Sequence, residues 1–317
     1  MNVVVARVAD IATDIRSFEL APLDGGPLPE YAPGAHIDVH LPNGLVRQYS
    51  LCGRREDSGA YLIAVQRGSA SRGGSHAMHA LRAGDALRIE GPRNHFPLDV
   101  TATHSILFAG GIGITPLLAM AEALAARHAS LDLHYCVRER SRAAFLERLD
   151  ALALRAHVTL HVDSEPGKPA LNVSRVSGEP APGRHLYVCG PAGFMTHVIS
   201  IAQQAGWDDA LVHREYFNAP VAGKSAEADE AFVVRLVKSG RAIPVAASQT
   251  VVEALAAQGV RIDTSCEQGV CGTCLTRVLA GQPDHRDLFL TDAERTRNDQ
   301  FLPCCSRSRT PELVLDL

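Results

Sequence analysis

Ser265-Cys266-Glu267-Gln268-Gly269-Val270-Cys271-Gly272-Thr273-Cys274 is the stretch from which the rest of the chain can be read. Four residues separate its first two cysteines and two separate the next two. A further cysteine, Cys304, follows after 29 more residues. Three thiols on one loop with a fourth far along the chain is the spacing that holds two irons on four thiolates, a 2Fe-2S cluster. Gly269 and Gly272 let the loop wrap closely, so that backbone N–H groups can point at sulfur and offset its negative charge. Ser265 and Thr273 offer hydroxyl donors beside them. Zinc is the competing reading, since close cysteine pairs are common at zinc sites, but those usually present two such pairs. Cys305 competes with Cys304, because only one of two adjacent side chains points inward from an extended segment.

Working outward, three of the eight cysteines (Cys52, Cys136, Cys189) are scattered and five crowd the last 52 residues. A disulfide framework would be small and evenly stapled, so the asymmetry points to a local metal site in a reducing compartment. At 317 residues the chain suits two or three domains, and 46% hydrophobic with 21% charged residues is the balance of a globular protein. A net charge of -4 supplies no broad basic field, so nucleic acid is not an expected partner. The N-terminal MNVVVARVADIATDIRSFEL lacks the pattern of a signal peptide, and a cytoplasmic location is expected. Ser105 to Ala121 carries no charge, but Gly110, Gly111, Gly113 and Pro116 would interrupt a spanning helix; no membrane segment is expected.

Residues 1–101 read as strands and polar turns, with Ala35–Leu41 and Ala60–Val65 as examples and Pro33-Gly34, Asn43-Gly44 and Gly84-Asp85 as turn signals: a small antiparallel barrel. Over 102–222 the texture alternates. Strands are expected at Ser105–Ala109, Leu131–Val137, Val158–Val162 and His185–Cys189. Helices are expected at Pro116–Arg127 (capped by Thr115), Ser141–Leu154 and Gly193–Ala205. This is a doubly wound parallel α/β domain. Residues 223–231 are small, charged and non-periodic, a linker. The last domain, 232–317, opens with a strand pair at Phe232–Val237 and Ala242–Ala246 and a short helix at Thr250–Ala257.

Two further constellations carry chemistry. Arg47-Gln48-Tyr49-Ser50-Leu51 at a strand end offers a cation, an aromatic face and a hydroxyl, and Gly73-Gly74-Ser75 opens a helix whose free N–H groups suit a phosphate. Gly110-Gly111-Ile112-Gly113-Ile114-Thr115-Pro116 follows a strand and opens a helix, as a dinucleotide turn requires, although Pro116 stands where a third glycine is usual. Cys189-Gly190-Pro191 is the matching turn of a later strand. Arg138, Arg140 and Arg142 either contact a 2′-phosphate or form a solvated basic run.

The cysteine run with Cys304-Cys305-Ser306-Arg307 resembles a plant-type ferredoxin domain, a β-grasp fold. Its position after the other two constellations resembles the phthalate dioxygenase reductase and vanillate O-demethylase reductase family over essentially the whole chain, to the terminal Glu312–Leu317. The resemblance implies a flavin-binding β-barrel over 1–101, an NAD-binding domain over 102–222, and Cys304 rather than Cys305 as fourth iron ligand. It assigns flavin contacts to Arg47, Tyr49, Ser50 and Leu51, and the flavin phosphate to Gly74 and Ser75. Gly111, Gly113, Thr115, Cys189, Gly190 and Pro191 would border the nicotinamide nucleotide, with Ser50, Cys189, Glu215 and Phe217 shaping the flavin face. It implies FMN rather than FAD, and NADH with NADPH possible.

The expected function is the reductase component of a two-component Rieske-type oxygenase: hydride passes from NADH to FMN, then single electrons leave through the 2Fe-2S cluster. A flavin suits this because it exchanges electrons in pairs or singly. No side chain need act as acid or base, so the 14 histidines are expected at the surface or in packing. The alternatives are a reductase for a cytochrome P450 or another hydroxylase, and a non-catalytic redox sensor or zinc-binding module.

Overall fold

Val3 and Val5, Phe18 and Leu20, Ile37 and Val39, and Ile63 and Val65 lie two apart in their stretches and are all buried, as strands with an inward face require. The computed structural model describes the chain apart from residues 54–58, 69–70, 72, 166–169 and 218–228. In it these residues belong to β1 (Asn2–Ala12), β2 (Ile15–Pro22), β3 (His36–His40), β4 (Val46–Ser50), β5 (Tyr61–Gln66) and, after helix α1 (Gly74–Ala80), β6 (Ala86–Arg93). They pair in the order β4-β3-β6-β1-β2-β5, and a Leu51–Ile63 bridge joins the two ends into a barrel.

The alternating region gives β7 (His104–Gly110), α2 (Ile114–Ala126), β8 (Ser130–Val137), α3 (Leu146–Leu149), α4 (Leu152–Arg155), β9 (Val158–Val162), α5 (Val173–Ser177), β10 (Arg184–Cys189), α6 (Ala192–Gln204) and β11 (Val212–Glu215). The parallel sheet runs β11-β10-β7-β8-β9. Leu107, Leu133, Tyr135 and Tyr187 on one face pack with Leu117 and Leu118 of α2. That core also takes in Ile15, Cys52, Ala64 and Phe96 from the barrel region. Ile106, Phe108, Leu186 and Val188 on the other face pack with Val173 of α5 and Met195 and Val198 of α6. Barrel and parallel sheet thus form one compact unit, Met1–Phe217.

Two local expectations are corrected. The helix expected over Ser141–Leu154 is broken, because Phe145 adopts a left-handed φ of 61° and Ala144 N–H donates to the Tyr135 hydroxyl at 3.0 Å. Burying Ala143, Ala144 and Phe145 outweighs helical continuity there. Thr115 does not cap α2: a 3-10 turn at Gly111–Gly113 precedes the helix, and the Thr115 hydroxyl donates back to the Ile112 carbonyl at 3.0 Å.

The second unit is Asn218–Leu317. It comprises β12 (Phe232–Leu236), β13 (Ala242–Val245), α7 (Val251–Ala257), β14 (Thr276–Ala280), β15 (Pro283–Asp284), α8 (Asp292–Arg297), β16 (Gln300–Phe301), β17 (Arg307–Ser308) and β18 (Glu312–Leu315). The main sheet runs β13-β12-β18-β14-β16, with β18 parallel to β12, and Val251, Ala254 and Leu255 of α7 pack on it: a β-grasp. Thr250 caps α7, accepting from Glu253 N–H at 3.1 Å while Glu253 accepts from Thr250 N–H at 2.8 Å. Residues 223–228 of the expected linker, and 218–222 before them, lie outside the described residues. Among the described residues no helix is long and apolar enough to cross a membrane.

Candidate functional site

In the second unit the loop after α7 carries Cys266, Cys271 and Cys274, and the turn after β16 brings in Cys304; all four are buried. Their thiols fall into two hydrogen-bonded pairs, Cys266 with Cys271 and Cys274 with Cys304. Cys271 is held below the ordinary thiol range by the bond from Cys266. Cys304 is held below the ordinary thiol range by the bond from Cys274 and then by one from the Cys305 thiol. The partner thiols Cys266 and Cys274 are pushed up in turn.

Backbone N–H groups converge on these sulfurs. Gln268 N–H donates to Cys266 at 3.3 Å, and Val270 N–H reaches the same sulfur. The N–H groups of Cys266 and Thr273 serve Cys271, and that of Gly269 serves Cys304. The Thr273 hydroxyl lies 3.3 Å from Cys271 sulfur. Four thiols in two pairs, ringed by donors, fit a 2Fe-2S cluster, in which each iron takes two protein sulfurs and the core is anionic. The Cys305 thiol donates to the Leu302 carbonyl at 3.7 Å and lies 3.8 Å from the Ser306 hydroxyl.

In the first unit the two pieces expected to bind flavin meet. A side chain at Gly74 would strike Arg47, whose Cγ and Nε lie 2.8 and 2.9 Å from the Cβ position. The guanidinium therefore stands over the opening of α1, a cradle for a phosphate. The Ser75 hydroxyl accepts from Gly68 N–H at 3.1 Å. Tyr49 packs partly against the barrel core. The Leu51 side chain is fully buried in the barrel and its N–H donates to the Ala35 carbonyl at 2.8 Å, which leaves its carbonyl as the group it can offer a ligand.

Ser50 reaches across to the parallel sheet, its hydroxyl donating to Glu215 Oε2 at 3.1 Å. Glu215 ends β11 in register with Cys189 at the end of β10. Burial pushes the Glu215 carboxyl up to about 8, partly offset by the Ser50 bond. Burial, and then the Glu215 charge, lift the Cys189 thiol well above its ordinary value. Phe217 packs beside the shared core. The two glycine turns also meet. A side chain at Gly113 would collide with the Cys189 carbonyl and Gly190 N, and one at Gly190 would lie 2.9 Å from Gly110 Cα. Pro191 precedes α6, Gly111 holds a φ of 53° beside open space, and Thr115 is buried.

In the basic run, Arg140 is paired with Glu165 at 2.6 Å and Arg142 with Asp14 at 3.5 Å. Arg138 is exposed and has no acidic partner among the described residues. Two contacts had no sequence signal. Arg148 forms a two-oxygen pair with Glu122 at 2.5 Å while pressing on Gly53, and Asp287 is buried behind the cysteine loop. Neither belongs to a motif, and both depend on contacts between distant segments.

Known proteins resemble this chain over its whole length. Residues 234–309 match the model of the 2Fe-2S iron-sulfur cluster binding domain, and residues 90–212 that of the dimethylamine monooxygenase subunit DmmA-like N-terminal domain. A vanillate O-demethylase oxidoreductase from Pseudomonas sp. is 50% identical over 100% of both chains. The solved structure of phthalate dioxygenase reductase, described as a modular structure for electron transfer from pyridine nucleotides to [2Fe-2S], is 39% identical with a TM-score of 0.73, over 100% of this chain and 98% of that one. An intact type IV self-sufficient cytochrome P450 monooxygenase matches at 38% identity and a TM-score of 0.89, over 100% of this chain but 41% of its own.

Proposed function

The chain belongs to the vanillate O-demethylase oxidoreductase and phthalate dioxygenase reductase family, and from that premise we propose that it is the reductase component of a two-component Rieske-type oxygenase. It is an NAD(P)H-dependent flavin and iron–sulfur oxidoreductase, with FMN and a 2Fe-2S cluster as its groups and NADH as the donor. When bound, the flavin exchanges electrons in pairs with the nicotinamide and singly with the cluster.

The chain's own residues bind and orient. Arg47 and the opening of α1 at Gly74 and Ser75 take the flavin phosphate, and Tyr49 and Ser50 face the ring. Gly111, Gly113, Gly190 and Pro191 keep side chains out of the space the nicotinamide nucleotide needs, with Thr115 beneath. Cys189, Glu215 and Phe217 close the pocket against water. Glu215, held protonated near neutral pH, presents a hydrogen-bonding but uncharged group there. Cys266, Cys271, Cys274 and Cys304 hold the cluster.

The observation that carries the partner assignment is the end-to-end match to a free-standing oxidoreductase of an O-demethylase. The test is reconstitution: NADH consumption dependent on the aromatic substrate should appear with a Rieske-type O-demethylating oxygenase and not with a cytochrome P450. Turnover with the P450 alone would replace this partner by the second reading, which the P450-fused structure supports.

A further inference from the structure

We propose that Asp287, with Arg295 as its counter-ion, is a positioning residue for the cluster that also sets the cluster's reduction potential; this rests on the 2Fe-2S reading above. The Asp287 side chain is fully buried. Its Oδ2 accepts from Phe289 N–H at 3.2 Å and Leu290 N–H at 2.8 Å, and its Oδ1 accepts from the Ser306 hydroxyl at 3.4 Å. Arg295 on α8 brings its guanidinium to 3.8 Å from Oδ2 and donates to the Asp287 carbonyl at 2.5 Å. His285 Nδ1 lies 3.7 Å from Oδ1.

Each partner ties a different part of the cluster cradle to this carboxylate. The turn that Asp287 organises lies directly behind the cysteine loop. Leu288 N–H donates to the Gly269 carbonyl at 2.9 Å, and a side chain at Gly269 would come within 2.9 Å of Asp287 Cα. Phe289 closes on Gly272, and Leu290 packs with Cys274 and Cys304. Ser306, two residues beyond Cys304, also accepts from Arg286 N–H at 3.1 Å, which fixes the fourth ligand's segment to the same turn. A carboxylate's charge in a poorly solvated interior acts over several ångströms. A fixed negative charge beside an anionic cluster opposes the arrival of another electron. Asp287 therefore lowers the potential, and Arg295 offsets part of that effect.

The test is redox titration of the visible and electron-paramagnetic signals in the full-length protein carrying flavin and cluster, with flavin absorbance as the measure of loading. Asp287→Asn should move the cluster midpoint upward by a tenfold or larger shift in the electron equilibrium, about 59 mV for a one-electron couple. It should also speed iron release to a chelator. Arg295→Gln should move the midpoint the other way. Asp287→Asn at the wild-type midpoint with its cluster retained would overturn the proposal. If that variant cannot retain its cluster, Arg295→Gln decides: a lower midpoint supports the proposal and an unmoved one overturns it. Wild-type protein without iron and inorganic sulfide would instead sink the cluster reading on which this rests.

Discussion

Between Cys266 and Cys274 the chain supplies three thiols within nine residues, whereas Ser50 meets Glu215 from 165 residues away. The cysteine loop draws its donors from its own backbone and imports one distant ligand. The Ser50–Glu215–Cys189 junction has no local part: it exists because the barrel and the parallel sheet share one core. A site of the first kind survives as a spacing in the sequence. A site of the second kind survives only as scattered residues whose relation is set by packing.

The largest effect should come from breaking the local site. Cys304→Ser should leave no 2Fe-2S signal and abolish cytochrome c reduction while NADH-dependent ferricyanide reduction continues. Cys305→Ser should keep the cluster, because that thiol is engaged by its own segment, donating to the Leu302 carbonyl at 3.7 Å and lying 3.8 Å from the Ser306 hydroxyl. A normal cluster in the first variant and none in the second would reverse the ligand assignment.

Next comes the junction. Gly113→Ala places a methyl against the Cys189 carbonyl, where backbone cannot yield cheaply. It should lower kcat/KM for NADH with ferricyanide at least about tenfold, equivalent to ~1.4 kcal/mol, with the cluster spectrum unchanged. Equal loss of cluster signal would mean that the two regions are not separable in this way.

A smaller effect sharpens the electrostatics. The Glu215 carboxyl is raised from its ordinary value to about 8 by burial. Its neutral form therefore stabilises the fold fully below the ordinary carboxylate range, and that contribution is lost as pH rises through about 8. Glu215→Gln cannot ionise, so its melting temperature should fall less than the wild type's between pH 6 and 9. Parallel curves would show that Glu215 does not titrate in this window. The smallest expected change is Thr250→Ala, which removes the cap of α7 at a cost of about 1 kcal/mol in denaturant unfolding and leaves both cofactor sites intact.

Much of this was readable in one dimension. The strand pair at Phe232 and Ala242, the short helix opening at Thr250 and the positions of the strands of the parallel sheet along the chain follow from periodicity, which is a property of short windows. The helix expected over Ser141–Leu154 failed for the complementary reason: its pattern is helical, but Ala143, Ala144 and Phe145 gain more from burial than from continuing the turn. Leu51 likewise belongs to a cofactor-binding stretch by position and to the barrel core by its side chain.

Spacing alone marked the three-cysteine loop with a distant fourth thiol (Cys304 or its neighbour Cys305), the glycines of the two turns and the succession of folds, because each rests on residues whose reach is a few bonds. Tertiary packing alone decided that Arg47 stands over Gly74, that Ser50 bonds Glu215, and that Asp287 lies behind the cysteine loop. Those contacts arise when separate segments are buried together, and removing water from a carboxylate or thiol changes its chemistry only once neighbours from elsewhere in the chain have closed around it.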